Sequence, residues 1–285
     1  MPLTSLALVV LAALCHATWN LLAKRAGGGA AFVFAYSLVA TVAYAPRALW
    51  QMVHGGIAWS WLVLLCIAAS AVLHLAYSLA LQRGYAIADL SVVYPVARGT
   101  GPLLSASVAF LLLGETPAPL RLLGLAAVVG GILLIATGGD WRRLREGRGV
   151  AWGLGIGALI AGYTVVDGSG VKLLGIAPVV LDWTANTLRL AMLLPVVAAR
   201  RRREGGLAIR WREATAVGLL APLGYILVLS AMQLGAPLSV VAPAREMSMM
   251  VGALFGMLLL GESVGRARLG GCAVMLAGVL LLARS

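Results

Sequence analysis

Charge is what this chain has least of. Asp, Glu, Lys and Arg make up only 11% of its 285 residues, against about 25% in an ordinary soluble domain, which excludes a water-solvated globule. Hydrophobic residues make up 61%, with a mean hydropathy of +0.98, a composition that fits helices of roughly 20 apolar residues crossing a bilayer. The apolar runs are continuous rather than alternating, so a transmembrane barrel is excluded as well. Cysteine is scarce: Cys15, Cys66 and Cys272 lie far apart in apolar runs. They have no metal-ligand spacing and read as small buried hydrophobes. Also missing are a GxxxxGK[ST] phosphate loop, an HExxH pair, a GxSxG serine and paired intramembrane aspartates. An ATP-driven pump or an intramembrane hydrolase would need one of these. No catalytic residue, metal site or cofactor is expected.

The net charge of +12 is concentrated in DWRRLREGRG (140–149) and RRRREGGLAIRWRE (200–213), both between long apolar runs. Clusters so placed orient a membrane protein and meet anionic lipid headgroups; they do not read nucleic acid. Apolar runs of spanning length predict helices near 3–23, 30–50, 59–82, 87–113, 118–138, 150–171, 177–199, 214–234, 237–260 and 265–283, an all-α polytopic membrane protein. The first run, MPLTSLALVVLAALCHA, imitates a signal peptide. It lacks a basic n-region, and Leu14 before Cys15 is poor for lipoprotein cleavage, so it reads as a retained helix. With ten spans and the N-terminus outside, both basic clusters fall in cytoplasmic loops, leaving only Arg47, Arg121, Lys172 and Arg284 on the other side. The positive-inside rule therefore favours both termini outside.

The chain also repeats itself. LSVVYPVARGTGPLLSASVAFLLLGE (90–115) returns as LSVVAPAREMSMMVGALFGMLLLGE (238–262). Ser91 and Pro95 recur as Ser239 and Pro243 at an offset of 148, and Gly114 and Glu115 as Gly261 and Glu262 at an offset of 147, about half the chain, so one residue is lost in between. Ten spans split into five and five. Because five is odd, the second copy crosses the bilayer from the opposite side, and such an inverted repeat is the architecture of secondary transporters. The expected division is a first repeat over 1–138, a basic loop over 139–149 and a second repeat over 150–285.

The stretch LLLGETPAPLRLLGLAAVVGGILLI, echoed by LLLGESVGRARLGGCAVMLAGVLLL, resembles the EamA-type carriers of the drug/metabolite transporter superfamily. The likeness runs over essentially the whole chain. Within the superfamily it is most similar to bacterial amino-acid exporters, including aromatic amino-acid exporters of the YddG type. The resemblance implies two inverted five-helix halves around a central cavity, alternating access and no ATP hydrolysis. Several such relatives keep both termini in the cytoplasm, opposite to the charge count.

Within this frame several residues are candidates for substrate contact. Pro95 and Pro243 each leave a carbonyl four residues earlier, at Ser91 and Ser239, without a helix partner. A kinked helix with a nearby hydroxyl is what a midplane site uses, so both prolines are read as hinges. Arg98, with Tyr94 one turn before it, and Arg245, beside Glu246, are charges in lipid-like runs and must face protein or water. Each either binds a substrate carboxylate, which guanidinium geometry suits, or forms a structural pair with Glu246. Arg98 has no acidic neighbour within a turn, which makes it the better substrate candidate. Asp182, Asn186 and Arg189 form a polar stripe at i, i+4 and i+7, with Trp183 beside it. His16, Trp19 and Asn20 share one helix face, as do His74, Tyr77 and Ser78, and Tyr163 with Asp167. Amphipathic groups of this kind suit a cavity for an amphipathic metabolite, and His16 or Asp167 could take up a proton. Met247, Met249 and Met250 would adapt to varied apolar solutes. Gly153 with Gly157, and Gly252 with Gly256, have the spacing for close helix approach.

The expectation is a secondary transporter of the bacterial inner membrane that exports amino acids or similar amphipathic metabolites. Its partners would be a small-molecule substrate and membrane lipid, without nucleic acid, in a monomer or homodimer. A carrier of another substrate class, such as a nucleotide sugar or cationic drug, is the alternative. A membrane-embedded lipid-modifying enzyme using Asp167, Asp182 or Glu246 with a metal or His is a second one.

Overall fold

The computed structural model describes residues 1–26, 29–87, 90–142, 147–204, 209–260 and 265–285. Side chains at 24–25, 82, 85–87, 90–91, 200, 204 and 256–260 are not described. Among the described residues eleven α-helices follow in order: α1 (Leu3–Ala26), α2 (Ala30–His54), α3 (Trp61–Ile87), α4 (Leu90–Leu112), α5 (Pro119–Thr137), α6 (Gly147–Lys172), α7 (Pro178–Glu204), α8 (Trp211–Gln233), α9 (Leu238–Ala244), α10 (Met247–Leu260) and α11 (Arg266–Arg284). The described residues hold no strand. α9 and α10 follow one another through a two-residue break and make one span, so the protein is a ten-span helical membrane protein. Among the described residues nine spans are long and apolar enough to cross a bilayer. α4 falls outside that set because Pro95, Arg98, Thr100 and Pro102 dilute it. Large apolar side chains such as Leu111 and Val53, 81% and 77% exposed, form the surface a bilayer would cover.

The halves interlock. α1 lies on α8 as α6 lies on α3, while α2 pairs with α7 and α5 with α11. Each contact has its counterpart under exchange of span n with span n+5, as expected of an inverted repeat. Close approach rests on glycine. A Cβ at Gly153 or Gly157 of α6 would come within 2.6 Å of Val96 or Thr100 of α4, and one at Gly131 of α5 within 2.7 Å of the Gly271 carbonyl of α11. The spacing argument therefore holds for Gly153 and Gly157. It fails for Gly252, which faces open space, and the Gly256 side is not described.

The two copies of the repeated segment fold differently. α4 carries Pro95 and Pro102 and stays helical throughout, held flat on α6 by the glycine contacts. The expected single helix over 237–260 is instead broken at Arg245–Glu246, two residues after Pro243. Through the break the amides of Glu246, Ser248 and Met249 bond three residues back, to Pro243, Arg245 and Glu246 at 3.0, 3.3 and 2.9 Å. The missing Pro243 N–H has already removed one rung, and the turn tightens to 3₁₀ geometry there.

Candidate functional site

The break brings charge to the middle of the molecule. Arg98 is the ninth residue of the 23-residue α4, about 12 Å from its start at 1.5 Å per residue. Its Nη1 lies 3.1 Å from Glu246 Oε2, while Arg245 Nε lies 3.4 Å from Glu246 Oε1. Exposure is 7% for Arg98, 2% for Arg245 and none for Glu246. Two guanidiniums thus share one carboxylate and leave a single excess positive charge where charge is costly. The two arginines are not equivalent. Arg98 also donates from Nη2 to the Tyr94 hydroxyl at 3.2 Å and stacks 5.2 Å over that ring. Arg245 reaches only Thr164 Oγ1, at 3.5 Å, and the Tyr163 ring, at 5.8 Å. Arg245 Nη2 and Arg98 Nε are each buried with no hydrogen-bond partner among the described residues. Arg98 thus has a carboxylate, supplied by the other half, and each guanidinium keeps one donor nitrogen unused.

Arg98 and Glu246 are 148 positions apart, so the pair joins the first half of the chain to the second. The repeat offset falls from 148 at Ser91–Ser239 to 147 at Glu115–Glu262, so Arg245 and Glu246 together answer the position of Arg98. An arginine and a glutamate attract there.

Beside the triad stands an aromatic and acidic cluster. The His74 ring stacks on Tyr163 at 4.2 Å, Tyr77 meets Tyr163 edge-on at 5.6 Å, and Tyr225 packs against His74 at 5.4 Å. His74 Nε2 lies 3.0 Å from Asp167 Oδ2, and the Tyr225 hydroxyl donates to the same oxygen at 2.5 Å. Asp167 is fully buried, and these two partners offset the desolvation of its carboxylate. Among the described residues no group of three or more His, Cys, Asp or Glu could hold a metal.

The terminal face of the bundle is tied across the halves by Glu115. Gly114, at φ 68°, turns the chain after α4 so that Glu115 reaches the start of α9. Its carboxylate accepts from the Leu238 and Ser239 amides at 2.7 and 3.0 Å and from Ser239 Oγ. Those are orphan donors of a helix N-terminus, where an anion is favoured. Lys172 Nζ is 3.6 Å from Glu115, and Arg121 donates to the Thr116 carbonyl at 3.1 Å.

Not every expected residue joins the centre. Tyr94, Arg98, Arg245, Glu246, Tyr163, Tyr77, His74 and Asp167 do. Ser239 lies at the terminal face under Glu115, and the side chain of Ser91 is outside the described residues, as is Glu262. Ser78 and Asn20 bond back to the carbonyls of His74 and His16. Trp19 packs with Phe32 and Val217 in a separate cluster, and His16 bonds the Ala12 carbonyl at 2.7 Å. Trp183 donates to the Thr41 carbonyl of α2 at 2.8 Å. Tyr225, Thr164 and Glu115 were not expected. Tyr225 had a signal, since it stands at the repeat offset from Tyr77.

The comparisons agree with this architecture. The model of the EamA-like transporter family matches residues 3–137 and again 147–284, and the chain belongs to that family. No curated protein matches it. A solved crystal structure, 16% identical, superposes with a TM-score of 0.69 over 99% of this chain and 96% of that one, a likeness of fold alone.

Proposed function

We propose that this member of the EamA-like transporter family exports amino acids, aromatic ones among them, or similar amphipathic metabolites across the bacterial inner membrane by alternating access. The observation that carries the reading is the excess positive charge of the Arg98–Glu246–Arg245 triad. A buried guanidinium with an unpartnered nitrogen gains most from an anion that can be desolvated beside it, and a carboxylate matches its two-donor geometry. Tyr77, Tyr94, Tyr163 and Tyr225 around the triad supply rings for the apolar part of the solute. The solute's carboxylate binds Arg245, while the Arg98–Glu246 pair holds the two halves together. Alternation then needs only that the two facings differ by a few kcal/mol, so that the ligand can shift their populations. The charge distribution of the loops supports termini on the periplasmic side.

The test is transport by purified protein in liposomes, using radiolabelled amino acids with and without a pH gradient. Saturable movement of at least one amino acid is expected. Robust movement of another metabolite class, with none of any amino acid, would contradict the assignment.

A further inference from the structure

Asp167 is a buried charge with no part in holding the solute's carboxylate. It is fully buried, and it accepts hydrogen bonds from Tyr225 and His74 at Oδ2, while Oδ1 has no partner among the described residues. Its one ion-pair partner among them is His74, at 3.0 Å. A buried carboxylate is costly unless a counter-charge faces it. Here that counter-charge comes from a histidine, the side chain that gains or loses its charge near neutral pH. Because the Tyr225 hydroxyl and the imidazole both donate to Oδ2, Nε2 carries the ring's hydrogen, and Nδ1 is the nitrogen left to accept a proton.

His74 is also the cluster's contact with water. Its side chain keeps 19% of its surface exposed. With Ser70, Asp182, Arg189 and Tyr225 it lines a cavity beside α7 of about 20 Å³, room for one water molecule. Ser70 Oγ and Arg189 Nε, on residues of that lining, are buried without partners among the described residues, and a water that meets several such groups is held. The guanidinium of Arg189 disfavours a metal cation in the same space. On its other side the His74 ring stacks on Tyr163 at 4.2 Å. The Arg245 guanidinium lies 5.8 Å from that same ring, so imidazole and guanidinium are at most about 10 Å apart. The other groups that face this layer are Tyr77 of α3 itself, edge-on to Tyr163, and Arg98 of α4, tied to Glu246.

We infer that His74 is a proton-binding site of this carrier, with Asp167 as its fixed counter-charge, and that the proton and the solute's carboxylate bind cooperatively. The proton comes from bulk water by way of the cavity; one N–H bond forms at Nδ1, and the proton leaves by the same atom. The imidazolium is paired by Asp167 and stands one ring away from Arg245, so its charge also favours the anion bound there. At about 10 Å and an effective dielectric of about 20, a unit charge changes the affinity of an anion roughly tenfold. The effect is reciprocal, since the bound carboxylate favours the proton by the same factor. The cooperativity rests on the carboxylate reading of Arg245 above.

The test is isothermal titration of the purified protein in detergent with L-phenylalanine and with 3-phenylpropionate. A pH series from about 6 to 8, within the range where histidine changes charge, is run in two buffers of different ionisation enthalpy, which counts the protons taken up on binding. Uptake of up to about one proton per bound carboxylate is expected, with roughly tenfold tighter binding at the acidic end. His74→Gln keeps a donor for Asp167 but cannot titrate, so uptake should vanish and the affinity should no longer vary with pH. His16→Gln combined with His54→Gln leaves His74 as the last of the three histidines and should keep the uptake, as should Asp182→Asn. Binding to the wild type without uptake, unchanged uptake in His74→Gln, or loss of uptake in either of the other variants overturns the inference. The two readings fail separately. Uptake with 3-phenylpropionate but no binding of L-phenylalanine would sink the amino-acid assignment alone, and binding of L-phenylalanine without uptake would sink only the proton site. If neither probe binds, both fall.

Discussion

Segments 90–115 and 238–262 share a motif and differ in what their middle does. In the first, α4 runs unbroken past two prolines and presents Arg98 from a rigid helix. In the second, the helix gives way at Arg245–Glu246, and two charged side chains leave a turn instead of one leaving a helix. Repetition thus supplies a scaffold, and departures from repetition supply chemistry. The second copy has lost one residue, so Arg98 stands three residues past its proline and Arg245 two past, and Glu246 meets both guanidiniums.

That difference can be broken most severely at its shared carboxylate. Glu246→Gln leaves two buried arginines without a counter-charge, and removing one partner of a buried pair costs about 3–5 kcal/mol. A large fall in the unfolding midpoint of the detergent-solubilised protein is expected. Arg98→Gln should cost less, because Arg245 still neutralises Glu246. Exchanging the pair, Arg98→Glu with Glu246→Arg, should recover part of what either single change loses. Additive losses in that double variant would show that the two side chains do not interact.

At the terminal face the comparison is sharpened by Glu115→Gln, which replaces a charged cap by a neutral one. Hydrogen bonds to a charged group contribute about 1.5–3 kcal/mol, and part of that should be lost. The face should also open more often, so a cysteine placed beside Leu238 should label faster. The smallest effect belongs to the prolines. Pro243→Ala restores an N–H but leaves Arg245 and Glu246 in place, so amide exchange across 245–249 should scarcely slow. Strong protection there would mean that Pro243 alone causes the break.

Much of this was legible in the sequence. The spans were, because lipid demands about 20 apolar residues whatever the packing, and so was the repeat. The pairing of Arg98 with Glu246 was one of the two readings the sequence left open, and periodicity could not choose it because the partner lies 148 residues away, beyond any local pattern. The role of Glu115 was hidden in the same way: the motif is plain, but a cap supplied from 123 residues away has no local signature. The break after Pro243 was half legible. Proline marks where a rung is lost, not which peptide turns.

The most direct measurement compares Arg245→Gln with wild type in two assays: unfolding in detergent, and amino-acid counterflow in liposomes. Removing Arg245 while sparing the Arg98–Glu246 pair should leave the unfolding midpoint within about a degree or raise it, since two guanidiniums sharing one carboxylate leave a net buried charge that costs the fold. Counterflow of a carboxylate-bearing solute should fall at least about tenfold, the loss of one charge-assisted contact. Wild-type counterflow in a fully folded Arg245→Gln protein would contradict the account.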